Sequence, residues 1–464
     1  MEKIIKLRND IKEFSESYYF LFFICGISLF TFFIEYKIPF FFVFAAILLV
    51  LVLCGSSLKS MIPLLVYYFN LHEHNQMQIP SATYFICLGV YAIVFGILIY
   101  QIVIHFKEYF VRLKKDWLLY SMFLILAMML LSFINSEDLG LSAIGLGNFA
   151  VTILAYALVR MTVEPTEENK NYIITSIILT AVVISIECIF MFFYRLSQGF
   201  NYWDIFNRKL LSFNAFNSNH YTAFINVAFV LCIYFFCKFK EIWKRILLIV
   251  FITLFLIVNV FTMCRAGILA LGITAILAIV VYFIYNKKVQ KNKIWKDSFY
   301  LIPFVVGMIV CIVFLYRTGA LQEILDRLKN IGFSENGRNE VYEAAIEQFK
   351  LHPIIGSGVY TTHLYVEWWN YHNYVLQMLG TCGILGLLAF ITYMVFSVKR
   401  TWHFDMYSIF VGIVIIYFLI HGIFDTMYFH SILMPLVVVL QAVQEDPIRK
   451  KRETASKAAV EETI

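Results

Sequence analysis

Charge is what this sequence has least of. Only 15% of its 464 residues are Asp, Glu, Lys or Arg, 61% are hydrophobic, and the mean hydropathy is +0.78. Soluble domains carry about 25% charged residues, so a water-soluble fold is excluded. Paired cysteine motifs are missing too. The nine cysteines (Cys25, Cys54, Cys87, Cys188, Cys232, Cys237, Cys264, Cys311, Cys382) all lie in or at the edge of apolar runs. They read as small packing residues, and neither a disulfide nor a metal site is expected. There is no glycine-rich nucleotide loop, no HExxH pair and no acidic cluster with metal-ligand spacing. Nor is there a basic face or tail: the net charge of +6 comes from short clusters between apolar runs, which mark membrane topology and give no reason to expect nucleic acid.

What is present is a succession of apolar runs long enough to cross a hydrocarbon core of about 30 Å. Runs such as Ile246–Met263 do not alternate, so they predict helices and not barrel strands. Spans are expected near 18–34, 38–54, 82–104, 117–134, 141–160, 172–194, 220–237, 244–263, 266–285, 298–316, 372–397, 406–424 and a short 430–443. The Lys3–Lys12 cluster is followed by no small-residue cleavage site, so the first run reads as an uncleaved span. Basic clusters at Lys107–Lys115, Lys238–Arg245, Lys287–Lys296, Lys399/Arg400 and Arg449–Arg452 should be cytoplasmic. With the N-terminus also inside, parity requires one more crossing, for which Met61–Leu71 is the candidate. The expected fold is therefore all-α and polytopic, with about 12–14 transmembrane spans and both termini cytoplasmic. Its parts would be a transmembrane region 1–316, a large folded extracytoplasmic loop 317–371, C-terminal spans 372–443 and a polar tail 444–464. Within the loop, Leu321–Asn330 and Asn339–Leu351 have helical spacing of apolar residues.

Several polar residues fall on the outer side of this topology. Arg338 opens the second loop helix; it is either a solvated loop arginine or an anion clamp whose planar fork suits phosphate oxygens. Arg265 is the only charge between two apolar runs that leave almost no loop, so it either snorkels to the headgroups or faces a cavity. His372 and Asn373 begin a span after the aromatic cluster Trp368, Trp369 and Tyr371, whose tryptophans read as an interfacial belt. Histidine side chains titrate near neutrality, so one at this position suits general base work, although a lone histidine is more often structural. Below it, Gly380, Gly383 and Gly386 recur every three residues and predict a close helix contact. The stretch Asn217-Ser218-Asn219-His220 enters another span from outside; helix capping competes with substrate binding as its role. Glu187 lies within a span and must face a partner or a cavity.

The combination Gly337-Arg338, His352-Pro353-Ile-Ile-Gly356-Ser-Gly358, His372-Asn373-Tyr374 and Gly383-Ile-Leu-Gly386 resembles the signature of the O-antigen ligase and Wzy-type polymerase superfamily. The resemblance is close over about 50 residues. It extends loosely to Asn217–His220 and to Cys264-Arg265-Ala266-Gly267, where the family commonly has serine in place of Cys264. Tyr342 also departs, standing where many relatives have tryptophan. The resemblance implies a metal-independent, cofactor-free glycosyltransferase of the membrane GT-C type, acting in the bacterial plasma membrane on a glycan carried by undecaprenyl pyrophosphate. Under it, Arg265 and Arg338 would bind the pyrophosphate, His372 would deprotonate the acceptor hydroxyl, and Asn373, Asn219, His220 and Asn217 would contact substrate. The implied partners are a lipid-linked donor and acceptor, membrane lipids, and chain-length regulator and flippase proteins. Richness in Lys, Asn, Ile and Phe suggests a low-GC genome and so a capsular or cell-wall polysaccharide polymerase. Ligase-type transfer of a finished glycan and a lipid-linked glycan flippase stay open as alternatives.

Overall fold

The computed structural model describes residues 2–34, 38–56, 58–64, 111–201, 218–262, 264–285, 338–365, 370–402, 405–426 and 433–445, with a few isolated residues between them. The expected spans 82–104 and 298–316, most of Met61–Leu71, the Leu321–Asn330 helix, the Trp368–Trp369 pair and the tail beyond 445 lie outside this description.

The described residues form helices and no strand: α1 (Glu2–Ser15), α2 (Tyr18–Phe32), α3 (Ile38–Cys54), α4 (Trp117–Leu131), α5 (Leu139–Thr162), α6 (Glu167–Ser197), α7 (Ser218–Lys238), α8 (Ile242–Thr262), α9 (Arg265–Tyr285), α10 (Arg338–Leu351), α11 (Tyr374–Thr401), α12 (Met406–Gly422) and α13 (Leu433–Ala442). Among the described residues seven helices are long and apolar enough to cross a membrane, α4 to α9 and α11, while α3, α12 and α13 are shorter apolar helices. Large apolar side chains such as Phe22, Leu269 and Leu388 point away from the protein. That outward apolarity is what lipid contact requires, and the chain is an all-α multi-pass membrane protein. Short polar side chains start the helices where the apolar runs begin: Ser17, Asp116, Asp138 and Asn373 each accept a backbone N–H from the first turn of the helix that follows.

The chain divides into two compact units. The first comprises 1–101, 172–336 and 416–427; the second comprises 102–171, 337–415 and 428–464. In the first, α7 is almost wholly buried, and its polar residues Asn219, Thr222 and Asn226 are hydrogen-bonded within the protein. It packs on α8 and α9. Glu187 is buried on α6 in the same unit. Asn259 donates its amide to Phe255 O of its own helix at 2.8 Å.

In the second unit α4 and α11 run together and α5 packs on α13. One end of these helices is fastened by a buried carboxylate. Asp116 accepts from Arg400 Nη1 at 3.1 Å on both oxygens and from Tyr156 Oη at 2.8 Å, with Arg160 Nε 3.5 Å away. The two arginines also serve the last carbonyls of α13, where a helix leaves acceptors unpaired. Arg160 donates to Ala442 O and Gln444 O at 3.0 and 2.9 Å, and Arg400 to Gln441 O at 3.0 Å. Burial of Asp116 opposes its ionisation, but the Arg400 and Arg160 guanidiniums outweigh it and hold the carboxyl below its ordinary range.

Replacing Asp116 by alanine leaves the buried Arg160 and the partly buried Arg400 without their carboxylate, and should destabilise the protein by about 3–5 kcal/mol. Thermal unfolding in detergent reads this directly. Because the folded carboxyl titrates below its unfolded value of about 3.9, its stabilisation should be complete above pH ~4 and fade as the pH falls through the folded value. The Asp116→Ala protein should lack that acid-sensitive component.

Candidate active site

The second unit carries a loop docked into a broken helix. Within α11, Gly383 has φ +64°, ψ −164°, which interrupts the helix. An interruption in an apolar helix strips carbonyls and amides of their partners, and in a bilayer these must be satisfied by protein. The residues after His352 do this. Ile384 and Leu385 donate their N–H to Pro353 O and Ile354 O at 2.9 and 3.3 Å. Ser357 and Gly358 donate theirs to Gly380 O and Thr381 O at 3.0 and 3.1 Å. Ser357 Oγ adds a second bond to Gly380 O at 3.0 Å. Gly356 and Gly358 both take positive φ, and a Cβ at Gly356 would lie 2.2 Å from the Thr381 carbonyl carbon. The glycines of the loop motif therefore permit a backbone approach that no other residue allows. From the other side Asn135 Nδ2 donates to Gly356 O at 3.0 Å and Ser142 Oγ to Val359 O at 3.0 Å.

The expected close helix contact is present at one of the three glycines, since a Cβ at Gly380 would lie 3.4 Å from Ala345 O of α10. Gly383 breaks the helix to receive the loop, Gly380 receives the ring of Tyr371, whose Cε2 is 2.7 Å from the Cβ position, and Gly386 faces Cys382 and Met378 of its own helix. Tyr371 is fully buried against Val341, Ala344 and Ala345 of α10, and its N–H donates to Gln377 Oε1 at 2.8 Å. It is a wedge between α10 and α11.

His372 lies between this wedge and the start of α11. It is not in the first helical turn, as its sequence position suggested, but two residues ahead of it, with φ +49°. Its N–H donates to Asn370 Oδ1 at 2.9 Å. A left-handed backbone at a residue with a side chain is uncommon and persists where its neighbours enforce it. Asn373 Oδ1 accepts from Val375 and Leu376 N–H at 2.8 and 3.1 Å, so the oxygen of that amide is a helix cap. The imidazole is half-buried, and its backbone is fixed on both sides. Arg338 is the first residue of α10, also half-buried, on the helix that packs against α11.

The first unit carries a separate polar centre at the start of α7. Asn219 is buried and its amide donates to Asp425 Oδ2 at 2.7 Å. Thr222 Oγ1 donates to Thr262 Oγ1 at 2.7 Å, and Asn226 Nδ2 to Gly267 O at 3.0 Å and Tyr417 Oη at 3.1 Å. Tyr417 Oη lies 2.9 Å from His421 Nδ1, and His421 Nε2 lies 3.6 Å from Cys264 Sγ. Gly267 must be glycine, since a Cβ there would meet Thr222 Cγ2 at 2.2 Å. These contacts bring the Cys264–Gly267 turn, with half-buried Arg265 as the first residue of α9, beside the end of α7 that carries Asn219 and His220. Arg265 and Asn219 thus stand at neighbouring helix ends; Asn217 lies outside the described residues. Asp425, His421, Tyr417 and Asn226 were not anticipated. A histidine and an aspartate four residues apart at the end of an apolar run carried the same signal as Arg265. Among the described residues no three His, Cys, Asp or Glu side chains are placed to share a metal ion.

Residues 252–391 match the family model for O-antigen ligase. This match supports the assignment of the segment to the O-antigen ligase and Wzy superfamily. No curated protein matches the sequence. The matched segment begins in α8 and ends in α11, and takes in Arg265, Arg338, the docked loop, His372 and Gly383. At the level of the superfamily, its chemistry is glycan transfer of the ligase or polymerase type.

The docked loop makes a sharp forecast for glycine replacement. Gly383→Ala and Gly356→Ala each force a side chain into a positive φ, worth about 1–3 kcal/mol, and add a clash with backbone. Both should lower the melting temperature strongly. Gly147→Ala on α5, where nothing lies within 4 Å, should instead stabilise by about 0.5–1 kcal/mol. A small effect at Gly383 would show that the loop does not depend on that break.

Proposed function

We propose that this protein is a metal-independent membrane glycosyltransferase that polymerises undecaprenyl-pyrophosphate-linked repeat units into a cell-surface polysaccharide, capsular or related, on the outer face of the bacterial plasma membrane. The observation that carries the reading is the fixed His372: a half-buried imidazole held by an enforced backbone between a buried tyrosine and a helix cap, within the segment that matches the family. Rigid presentation is what a general base needs. In the proposed reaction an imidazole nitrogen of His372 takes the proton of the acceptor sugar hydroxyl as its oxygen bonds to the anomeric carbon of the donor. The bond from that carbon to pyrophosphate breaks, and the electron pair leaves with the lipid pyrophosphate. Arg338 and Arg265 are assigned to that leaving charge, for which a guanidinium fork is suited. Asn219 and His220 are assigned to substrate. Asn373 acts by fixing the start of α11, and Asp425 acts by orienting Asn219.

Ligase-type transfer differs only in the acceptor, and the name of the matching family keeps it as the second reading. In membranes supplied with lipid-linked repeat units, His372→Ala should abolish chain lengthening by at least ~100-fold, the usual share of a general base, while leaving a monodisperse protein. Arg338→Lys should also fall severely, because charge without the fork does not reproduce bidentate binding. Normal lengthening by His372→Ala removes the base assignment. A wild-type protein that leaves repeat units unjoined yet transfers preformed glycan to another acceptor supports the ligase, and loss of lipid-linked glycan export with polymerisation intact supports a flippase.

A further inference from the structure

The first two helices meet at a sharp angle: the axis turns by 72° between Lys3–Ser15 and Tyr18–Phe32. The two differ in character. α2 is apolar on all sides, whereas α1, EKIIKLRNDIKEFS, is amphipathic. Residues three and four apart share a helix face, so Ile4, Leu7, Ile11 and Phe14 make one apolar stripe. By the same periodicity Lys3 and Lys6 run along one edge of it, Asp10 beside them, and Arg8 and Lys12 along the other, while Glu13 falls on the far side. Among the described residues the stripe is left open along most of its length: Ile4, Leu7 and Phe14 are 73%, 59% and 45% exposed.

The contacts of α1 fix where the stripe points. Arg8 Nε donates to Cys54 O at 3.2 Å and Ser15 Oγ to Ser56 Oγ at 2.8 Å, so α1 lies against the end of α3. Phe14 meets Phe20 and Phe23 of α2 edge-on at 5.8 and 6.3 Å. Arg8, Ser15 and Phe14 all border or belong to the stripe. The apolar side of α1 therefore faces the layer that α2 and α3 enter, and its acidic side faces away. A helix turned sharply from an apolar one, apolar towards that layer and basic along both edges, meets the requirements of a helix lying in a membrane interface.

We propose that α1 docks on an anionic bilayer surface, with Ile4, Leu7, Ile11 and Phe14 at the acyl boundary and Lys3, Lys6 and Lys12 reaching lipid phosphates. The test uses the full chain in nanodiscs of phosphatidylcholine alone or mixed with phosphatidylglycerol. Leu7→Cys and Asn9→Cys are compared by their rate of modification with a charged, water-soluble maleimide, the unsubstituted chain serving as blank. In the phosphatidylglycerol discs Leu7→Cys should react roughly 10-fold more slowly than Asn9→Cys, as burial in the acyl boundary demands. Adding Lys3→Glu, Lys6→Glu and Lys12→Glu should largely remove that protection, and so should omission of phosphatidylglycerol. Equal rates at the two positions overturn the docking. Protection that survives both the charge reversal and the neutral lipid overturns the anionic surface, and points to a protein covering the stripe. All these substitutions fall on exposed positions of α1, so folding of the rest is expected to be unaffected.

Discussion

A helix inside a membrane is secure because its own backbone answers every donor and acceptor. Wherever it breaks, something else must answer them. In α11 the break at Gly383 leaves the carbonyls of Gly380 and Thr381 and the amides of Ile384 and Leu385 to be matched, and the loop from Pro353 to Gly358 matches all four. That exchange fixes the loop. It also ties the first turns of α11 to α10 through Tyr371, and so sets the frame in which His372 and Asn373 stand. Asn135 and Ser142, 221 and 217 positions before their partners in the chain, hold the loop through Gly356 O and Val359 O.

How much of this was legible follows from what each residue type reveals on its own. The helices were legible, because a membrane span needs only continuous apolarity and bounding charges. The runs at 18–34, 38–54 and 244–263 correspond to α2, α3 and α8 within a residue or two. The His-Asn pair and the two arginines were legible as polar residues at the ends of such runs. The break was not. Three glycines at intervals of three fit equally well a helix that packs closely and a helix that opens, and only the conformation of Gly383 separates the two. The role of Asn373 was hidden for a related reason, since a side-chain oxygen can cap a helix or bind a ligand with the same chemistry.

The buried charges escaped notice differently. Asp116, Arg160 and Arg400 each stand at the boundary of an apolar run, where the rule of positive residues at one face explains them without further work. Their convergence on one carboxylate and on the last carbonyls of α13 is a tertiary fact. The polar centre around Asn219 and Asp425 is similar: 206 positions separate the two residues, and no local pattern announces the pairing.

α11 also works as a ruler. From the break at Gly383 to Arg400 it runs without interruption, and at about 1.5 Å per residue that stretch measures roughly 25 Å. Arg400, clamped to Asp116, stands at one end of that length, and the docked loop is seated at the other. α4 and the turn after it measure the same interval independently, from Asp116 to Asn135, which also holds the loop. Inserting or removing a single turn between Gly383 and Arg400 would put the two lengths out of step by about 5 Å and draw the loop away from Asn135.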